Sequence, residues 1–456
     1  MNVQTSRAAS AARAAALLLA ALLSACGGGG DTPSGPPAPP ATCSVAAQQT
    51  WLGDYMRDWY FWYRLAPNPN PAAFRDVPEY LQALLYQGDT TFPSDRWSRT
   101  ESTESFNRFF GEGRTLGYGL SVAGLEVTGQ PEQPLRVRYV EPQGDAAAKG
   151  VRRGEQVVSL GGRSAADLIG ANDFALLTPD QEGQQLGVVL LDAAGAQRSL
   201  TLRAAVFAVT PVVNATVQRT PANRSVGYVM VNTMINQTLP PLAEAITQFR
   251  DQGVTDVVLD LRYNGGGSVS VGATLASHLI GNRSAGSLFA RLLYNDRRAA
   301  TNNQDFPFTQ PRPSLRLPRV IVLAGRRTCS ASEQLVNGLR PFADVVLIGE
   351  TTCGKPVGFV PASQCGTTYN VVNFESVNSR NEGRYWDGFA PTCAVAEDFS
   401  QPLRSAGDPL WQAAQRYVDS GSCPAGATGQ ARPLSSVLRE GPVRQRSDER
   451  EDMFPG

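Results

Sequence analysis

The spacing of apolar residues changes character along the chain and divides it into three stretches. In residues 43–113, Trp51, Tyr55, Trp59 and Trp62 recur at helical spacing, and a second amphipathic run extends from Val77 to Leu85. Aromatic stripes of this kind more often pack a core than line a ligand box. Residues 114–205 switch to strand-length runs: Leu116 to Val122, Leu135 to Val140, Gln156 to Leu160, Gly187 to Leu191 and Ser199 to Leu202. A longer helix-like run, Ala165 to Leu177, interrupts them. Residues 206–423 alternate the two periods. Val226 to Val231 precedes a helix from Pro240 to Arg250, and Val254 to Leu261 precedes a triple glycine and a helix containing His278. Val320 to Ala324 precedes a helix at Ser330, and Ala343 to Ile348 leads to Lys355. Thr368 to Phe374 reads as another strand and Trp411 to Val418 as a closing helix. Strands alternating with helices predict an α/β fold with parallel pairing.

The ends of the chain read differently. Residues 1–25 carry Arg7 and Arg13, an apolar run Ala14 to Leu23, and small residues before Cys26, the layout of a signal peptide. Residues 26–42 are rich in glycine and proline and predict a flexible linker. Residues 424–456, rich in Arg, Glu, Ser, Gly and Pro, predict a disordered tail. No internal repeat is evident, and no membrane-spanning run follows the signal.

Composition narrows the chemistry. The formal net charge is zero, so the chain carries no electrostatic footprint for nucleic acid. It has one histidine, whereas a Ser-His-Asp triad would have to use that residue and a zinc hydrolase normally needs several. His278 lies in an apolar run and reads as a core residue. Neither metal nor cofactor is expected. Of the 41 basic residues two are lysine, Lys149 and Lys355, and 39 are arginine. Where this chain needs only positive charge it uses arginine. A lysine can lose its proton when buried and an arginine effectively cannot, so Lys355 is a candidate base. Ser330, with small neighbours at a strand-to-helix junction, is its candidate nucleophile. Seven cysteines leave an even six beyond Cys26 for disulfides in an exported chain.

The run Cys329-Ser330-Ala331-Ser332-Glu333, with Gly354-Lys355 following, resembles the carboxyl-terminal processing, or tail-specific, serine peptidases. Asp260-Leu261-Arg262-Tyr263-Asn264-Gly265-Gly266-Gly267 resembles that family's second signature. The resemblance covers roughly residues 45 to 420. It implies a Ser330–Lys355 dyad and a crotonase-like core of ββα units over 206–423. The oxyanion would be held by the Ala331 N–H and that of Gly266 or Gly267. The chain departs from the family at Phe359, where members often carry glutamine four positions after the lysine. Glu333 is expected to bond a backbone group at its helix start.

Within residues 114–205, Gly117-Tyr118-Gly119-Leu120 resembles the carboxylate-cradling loop of a PDZ domain. Val140 to Ala147 followed by Val151-Arg152-Arg153-Gly154-Glu155 resembles its turn–helix–turn. Leu23-Ser24-Ala25-Cys26 resembles a bacterial lipobox, which implies a lipid anchor on Cys26 and a place in the bacterial cell envelope, on the outer membrane facing the periplasm. The expected partners are protein or peptide substrates and the membrane, with the oligomeric state open.

The expected fold class is therefore α/β: a crotonase-like core, an inserted PDZ-like β domain and a helical N-terminal region. The expected activity is that of a serine endopeptidase. A catalytically inactive peptide-binding scaffold of the same fold is the alternative, and an acyl-CoA enzyme a weaker one. Cys329 and Cys353 flank the dyad and are expected to pair, with Cys365–Cys393 and Cys43–Cys423 as the remaining bridges.

Overall fold

The computed structural model describes residues 37–281, 284–427 and 452–456. The expected signal peptide, Cys26 and most of the linker lie outside the described residues. Among the described residues no helix is long and apolar enough to cross a membrane.

A six-stranded sheet organises the C-terminal part. Its strands lie in the order Val212–Arg219, Ser225–Val231, Asp256–Asp260, Arg319–Ala324, Asp344–Gly349 and Cys393–Ala394. The first pair is antiparallel and the others are parallel. Side chains alternate between its faces. Val229, Val231, Val257, Leu259, Val320 and Val322 join a core with helices Leu239–Asp251, Val269–Ile280 and Ala331–Leu339. Tyr228, Met230, Val258, Ile321 and Leu323 pack on the other face with helix Pro409–Ser420. Both faces are covered, which accounts for the unbroken apolar strands. His278 is buried in Val269–Ile280, where Nδ1–H donates to the Pro313 carbonyl at 2.6 Å and burial holds the ring below the usual histidine range.

Helix Val45–Trp59 starts at Ser44, whose hydroxyl accepts the Ala47 N–H. Trp51, Tyr55 and Trp59 stack along it, with ring centroids 5.2 and 6.2 Å apart. The helix ends at Trp59, so Trp62 is buried from the following turn rather than from the same helical face. Both parts of the stripe serve the core cluster that includes the sheet.

Residues 114–205 build a β-rich unit with its own apolar core, including Leu120, Val137, Val157, Leu168, Val188 and Leu202. Strands Arg163–Ser164, Gln156–Leu160, Gln185–Leu191 and Gln197–Arg203 form one sheet, and Leu120–Val122 pairs with Val137–Val140. The expected strand from Leu116 to Val122 is two, Arg114–Gly117 and Leu120–Val122. The chain breaks at Gly119, whose φ of +73° allows Gly144 to approach closely. The run Ala165 to Leu177 is a short helix, Ala165–Gly170, and a 3-10 turn, Ala175–Leu177. Thr368 to Phe374 also divides: Thr367–Asn370 pairs with Arg99–Ser102, and Phe374–Val377 with Leu288–Tyr294.

The tail departs further from expectation. Asp452–Phe454 is a strand parallel to Gly266–Ser268, with Asp452 and Met453 fully enclosed. An apolar pair, Met453-Phe454, gives this segment something to bury.

Three disulfides form. Cys329–Cys353 is as expected, with Cα atoms 5.1 Å apart. The other two are Cys43–Cys365 and Cys393–Cys423, not Cys365–Cys393 and Cys43–Cys423. Cys393 ends the six-stranded sheet beside helix Pro409–Ser420, whose exit carries Cys423. Cys365 sits in the hairpin turn between Ala362–Gln364 and Thr367–Asn370, in a separate sheet. A non-reduced digest should yield these three pairs in mass spectrometry. Cys43→Ala with Cys365→Ala, which opens a link across 322 residues, should lower unfolding stability, by about 2–5 kcal/mol. An unchanged urea midpoint would show that the bridge constrains nothing.

Candidate active site

The site begins where strand Arg319–Ala324 leaves the sheet. Thr328 Oγ1 accepts the Gly325 N–H at 3.0 Å and donates to the Leu261 carbonyl at 2.8 Å. The Cys329 N–H and the Ser332 hydroxyl both donate to the Asn264 carbonyl, at 3.1 and 3.0 Å. These bonds fasten the serine's turn to the glycine turn. Between them Ser330 takes φ +60° and ψ −119°, a conformation costly for a non-glycine residue, on the order of 1–3 kcal/mol. Ser330 Oγ is buried without a hydrogen-bond partner. Arg327, three residues earlier, is held by Glu126 of the β-rich unit at 2.8 Å.

Glu333 lies on the first turn of that helix and is fully buried. Its Oε2 accepts the Ser330 N–H at 3.0 Å and the Lys355 N–H at 2.8 Å. Its Oε1 accepts the Gly354 N–H at 2.8 Å and the Thr352 hydroxyl at 2.5 Å. Burial pushes the carboxyl up to about 7, against these four donors, which favour its charged form. One oxygen therefore carries the amides of both Ser330 and Lys355, and the Cys329–Cys353 bridge ties the same two turns covalently. The expected helix-start bond of Glu333 is present, but its reach to the lysine's turn was not legible from spacing. Cys329, Glu333 and Cys353 cluster closely enough to suggest a metal site. The two sulfurs are bonded to each other, so the cluster offers no thiolate.

Lys355 is fully buried, and its Nζ lies 5.6 Å from the centre of the Phe359 ring. Arg99 stacks on the same ring at 5.5 Å. The triple glycine adjoins the serine. Gly266 has φ +113°, and a Cβ there would lie 2.9 Å from the Ala331 nitrogen and 3.0 Å from the Ser330 Cβ. The Gly266 N–H donates to Asn264 Oδ1 at 2.9 Å. Ser330, Ala331, Gly266, Gly267 and Lys355 thus belong to one neighbourhood. The Gly117–Leu120 loop belongs to the β-rich unit instead. There the Tyr118 and Gly119 carbonyls accept N–H groups of Ala146 and Glu141, each at 2.9 Å. Arg99 and Asp452, which form an ion pair beside Phe359, had no sequence signal beyond the apolar pair that follows Asp452.

The family model described as Peptidase family S41 matches residues 225–373, and that described as the Peptidase S41 N-terminal domain matches residues 47–99. The chloroplastic C-terminal processing peptidase of Tetradesmus obliquus is 29% identical over 245 residues, 51% of this chain and 50% of that protein. A carboxyl-terminal-processing protease of Picosynechococcus is 25% identical over 238 residues, 52% of this chain and 54% of that protein. The chain spans about half the length of the curated relatives it matches. Among solved structures, a candidate S41 protease of Bacteroides fragilis aligns with a TM-score of 0.64 at 24% identity, over 82% of this chain and 97% of that one. A photosystem II D1 C-terminal processing protease gives 0.51 at 21%, over 78% and 94%. These structural likenesses establish a mixed α/β fold of the S41 peptidase type.

Glu333→Gln should destabilise the protein, because an NH2 group then faces buried donors, at about 1–3 kcal/mol for each donor left unpaired. The wild type should also lose stability relative to the variant as pH rises between 4.5 and about 7. The folded state keeps the Glu333 proton longer than the unfolded chain does, so this contribution is present at low pH and gone above about 7. Urea unfolding of both proteins across that range measures both effects, and parallel curves would remove the assignment.

Proposed function

We propose that this chain, which belongs to peptidase family S41, is a serine endopeptidase with Ser330 as nucleophile and Lys355 as base. The observation that carries the reading is the Glu333 carboxylate, which holds the amides of both residues on one oxygen. A serine hydroxyl is a weak nucleophile and needs a base within reach. Lys355 is buried beside the serine's turn, and a lysine, unlike an arginine, can give up its proton. In the reaction, the neutral amine takes the serine proton as Oγ adds to the carbonyl carbon, then returns it to the leaving amine.

For the oxyanion we assign Gly267 over Gly266 as partner of Ala331. The Gly266 N–H is engaged by Asn264 Oδ1, whereas Gly267 stands one position on in an extended strand. The Ala331 N–H opens a helix, whose dipole favours negative charge there. The strand–helix alternation of residues 206–423 supports a crotonase-like core.

The β-rich unit is read as PDZ-like. Leu120–Val122 pairs on one side only among the described residues, so its second edge is available to a peptide strand, beside the Gly117–Leu120 loop. It would select substrate C-termini. The lipobox-like run ending at Cys26 supports a lipid anchor in the bacterial cell envelope. Cys26→Ala should move the protein from membrane to soluble fractions, and unchanged fractionation would dismiss the anchor.

Ser330→Ala and Lys355→Arg should each abolish cleavage of an unfolded protein substrate while leaving thermal unfolding nearly unchanged. Arginine keeps the charge but cannot act as base, so full activity in Lys355→Arg would sink the dyad. Amidating the C-terminus of a peptide substrate should weaken its binding, and equal affinity for both forms would dismiss the PDZ-like selector.

A further inference from the structure

The strand Asp452–Phe454 does not drape over the surface. It lies between two segments of the candidate active site, bonded to each. The Asp452 N–H donates to the Gly265 carbonyl at 3.0 Å, on the glycine side. The Met453 carbonyl accepts the Phe359 N–H at 2.9 Å, on the lysine side. Successive residues of an extended chain bonding to opposite neighbours is how a cleft holds a peptide strand. Asp452 is 1% and Met453 0% exposed.

The register places one peptide bond at the chemistry. Gly266 stands opposite Asp452 and Gly267 opposite Met453, and a parallel ladder then aims the Gly267 N–H at the Asp452 carbonyl. A Cβ on Gly266 would collide with that carbonyl oxygen, and it would also lie 2.9 Å from the Ala331 nitrogen and 3.0 Å from the Ser330 Cβ. The Asp452 carbonyl thus shares the space beside Gly266 with the proposed nucleophile and oxyanion donors. Its side chain is read separately. The Asp452 carboxylate pairs with Arg99, whose guanidinium stacks on Phe359 and has Glu101 at 3.9 Å. Beyond the bond, Phe454 packs against Phe110, Phe106 and Phe359, with centroids at 5.0, 6.5 and 6.4 Å.

Building on the proposed peptidase activity, we infer that the Asp452–Met453 bond is a substrate of this active site and that Arg99 selects an acidic residue on the acyl side of the cleaved bond. Ser330 Oγ adds to the Asp452 carbonyl carbon and its proton passes to Lys355 Nζ. The Asp452 C–N bond breaks as that proton moves to the Met453 nitrogen. Water then hydrolyses the ester, returning the serine hydroxyl and leaving a carboxylate on Asp452. An arginine fork suits this task because it meets a carboxylate with directed donors and stays charged.

The test uses the full chain and two synthetic peptides that contain Asp-Met-Phe-Pro-Gly or Asn-Met-Phe-Pro-Gly after the same leader. Wild-type protein should lose the segment from Met453 onward by intact mass, and Ser330→Ala should keep it. The aspartate peptide should be cleaved with kcat/KM about tenfold or more above the asparagine peptide, the scale of a charged hydrogen bond. Arg99→Met should bring the kcat/KM ratio of the two peptides to about one, whereas general misfolding would lower both rates together and keep the ratio. If wild type digests an unfolded protein yet leaves its own Asp452–Met453 bond intact and treats both peptides alike, the inference is overturned and the peptidase reading stands. If it digests nothing, both fall.

Discussion

The carboxylate of Glu333 is the constraint on which the rest of the site depends. A buried acid is expensive unless its oxygens are satisfied. Here three backbone amides and one hydroxyl converge on it from two turns, separated by a helix and a strand. The acid exists in this core because both turns surround it, and the turns keep their positions because the acid lies between them. The same bonds offset the unfavourable backbone of Ser330. A strained residue persists only where its surroundings over-determine it, and Ser330 is held by Glu333 on its own amide and by Asn264 through Cys329 before it and Ser332 two positions after it.

Arginine serves this architecture wherever two parts must be joined. Arg262 is buried and reaches Asp260, Glu397 and Asp408 together. Arg153, from the β-rich unit, bonds Glu397 at 2.8 Å and meets Tyr263. Arg327 spans to Glu126 directly before the serine's turn. Glu397 therefore couples the β-rich unit to the residue that follows Leu261 in the glycine signature, and Glu126 couples it to Arg327, three residues before Ser330. These three arginines make multi-point junctions, which an ammonium could not make with the same geometry.

The sequence was most legible where periodicity and burial agree. Asp256–Asp260 and Arg319–Ala324 stand within a residue or two of the expected strands, because apolar runs flanked by helices have few other solutions. The serine–glycine–lysine neighbourhood followed from two spaced motifs and an unusual lysine. It was least legible where one apolar run served two sheets, as at Thr367–Asn370 and Phe374–Val377. There the break depends on which distant strand is nearest. The two mispaired disulfides failed for the same reason: pairing follows tertiary neighbourhood, and Cys365 belongs with the sheet of Arg99–Ser102 rather than with Cys393. The strand Asp452–Phe454 was not legible because composition averages over residues 424–456, whereas its burial depends on a few residues around Met453.

The Cys43–Cys365 bridge has a mechanical meaning. Cys43 precedes helix Val45–Trp59, and Cys365 sits in a hairpin whose sheet includes Arg99–Ser102. A pull on the chain upstream of Cys43 is delivered through sulfur to that hairpin and bypasses the helix. Load is then shared in shear across the ladder between Thr367–Asn370 and Arg99–Ser102 instead of peeling the helix turn by turn. The covalent path of the load then skips the helix that carries Trp51, Tyr55 and Trp59, and upstream of the bridge the stack is reached only through the bond from the Trp51 indole N–H to the Pro37 carbonyl.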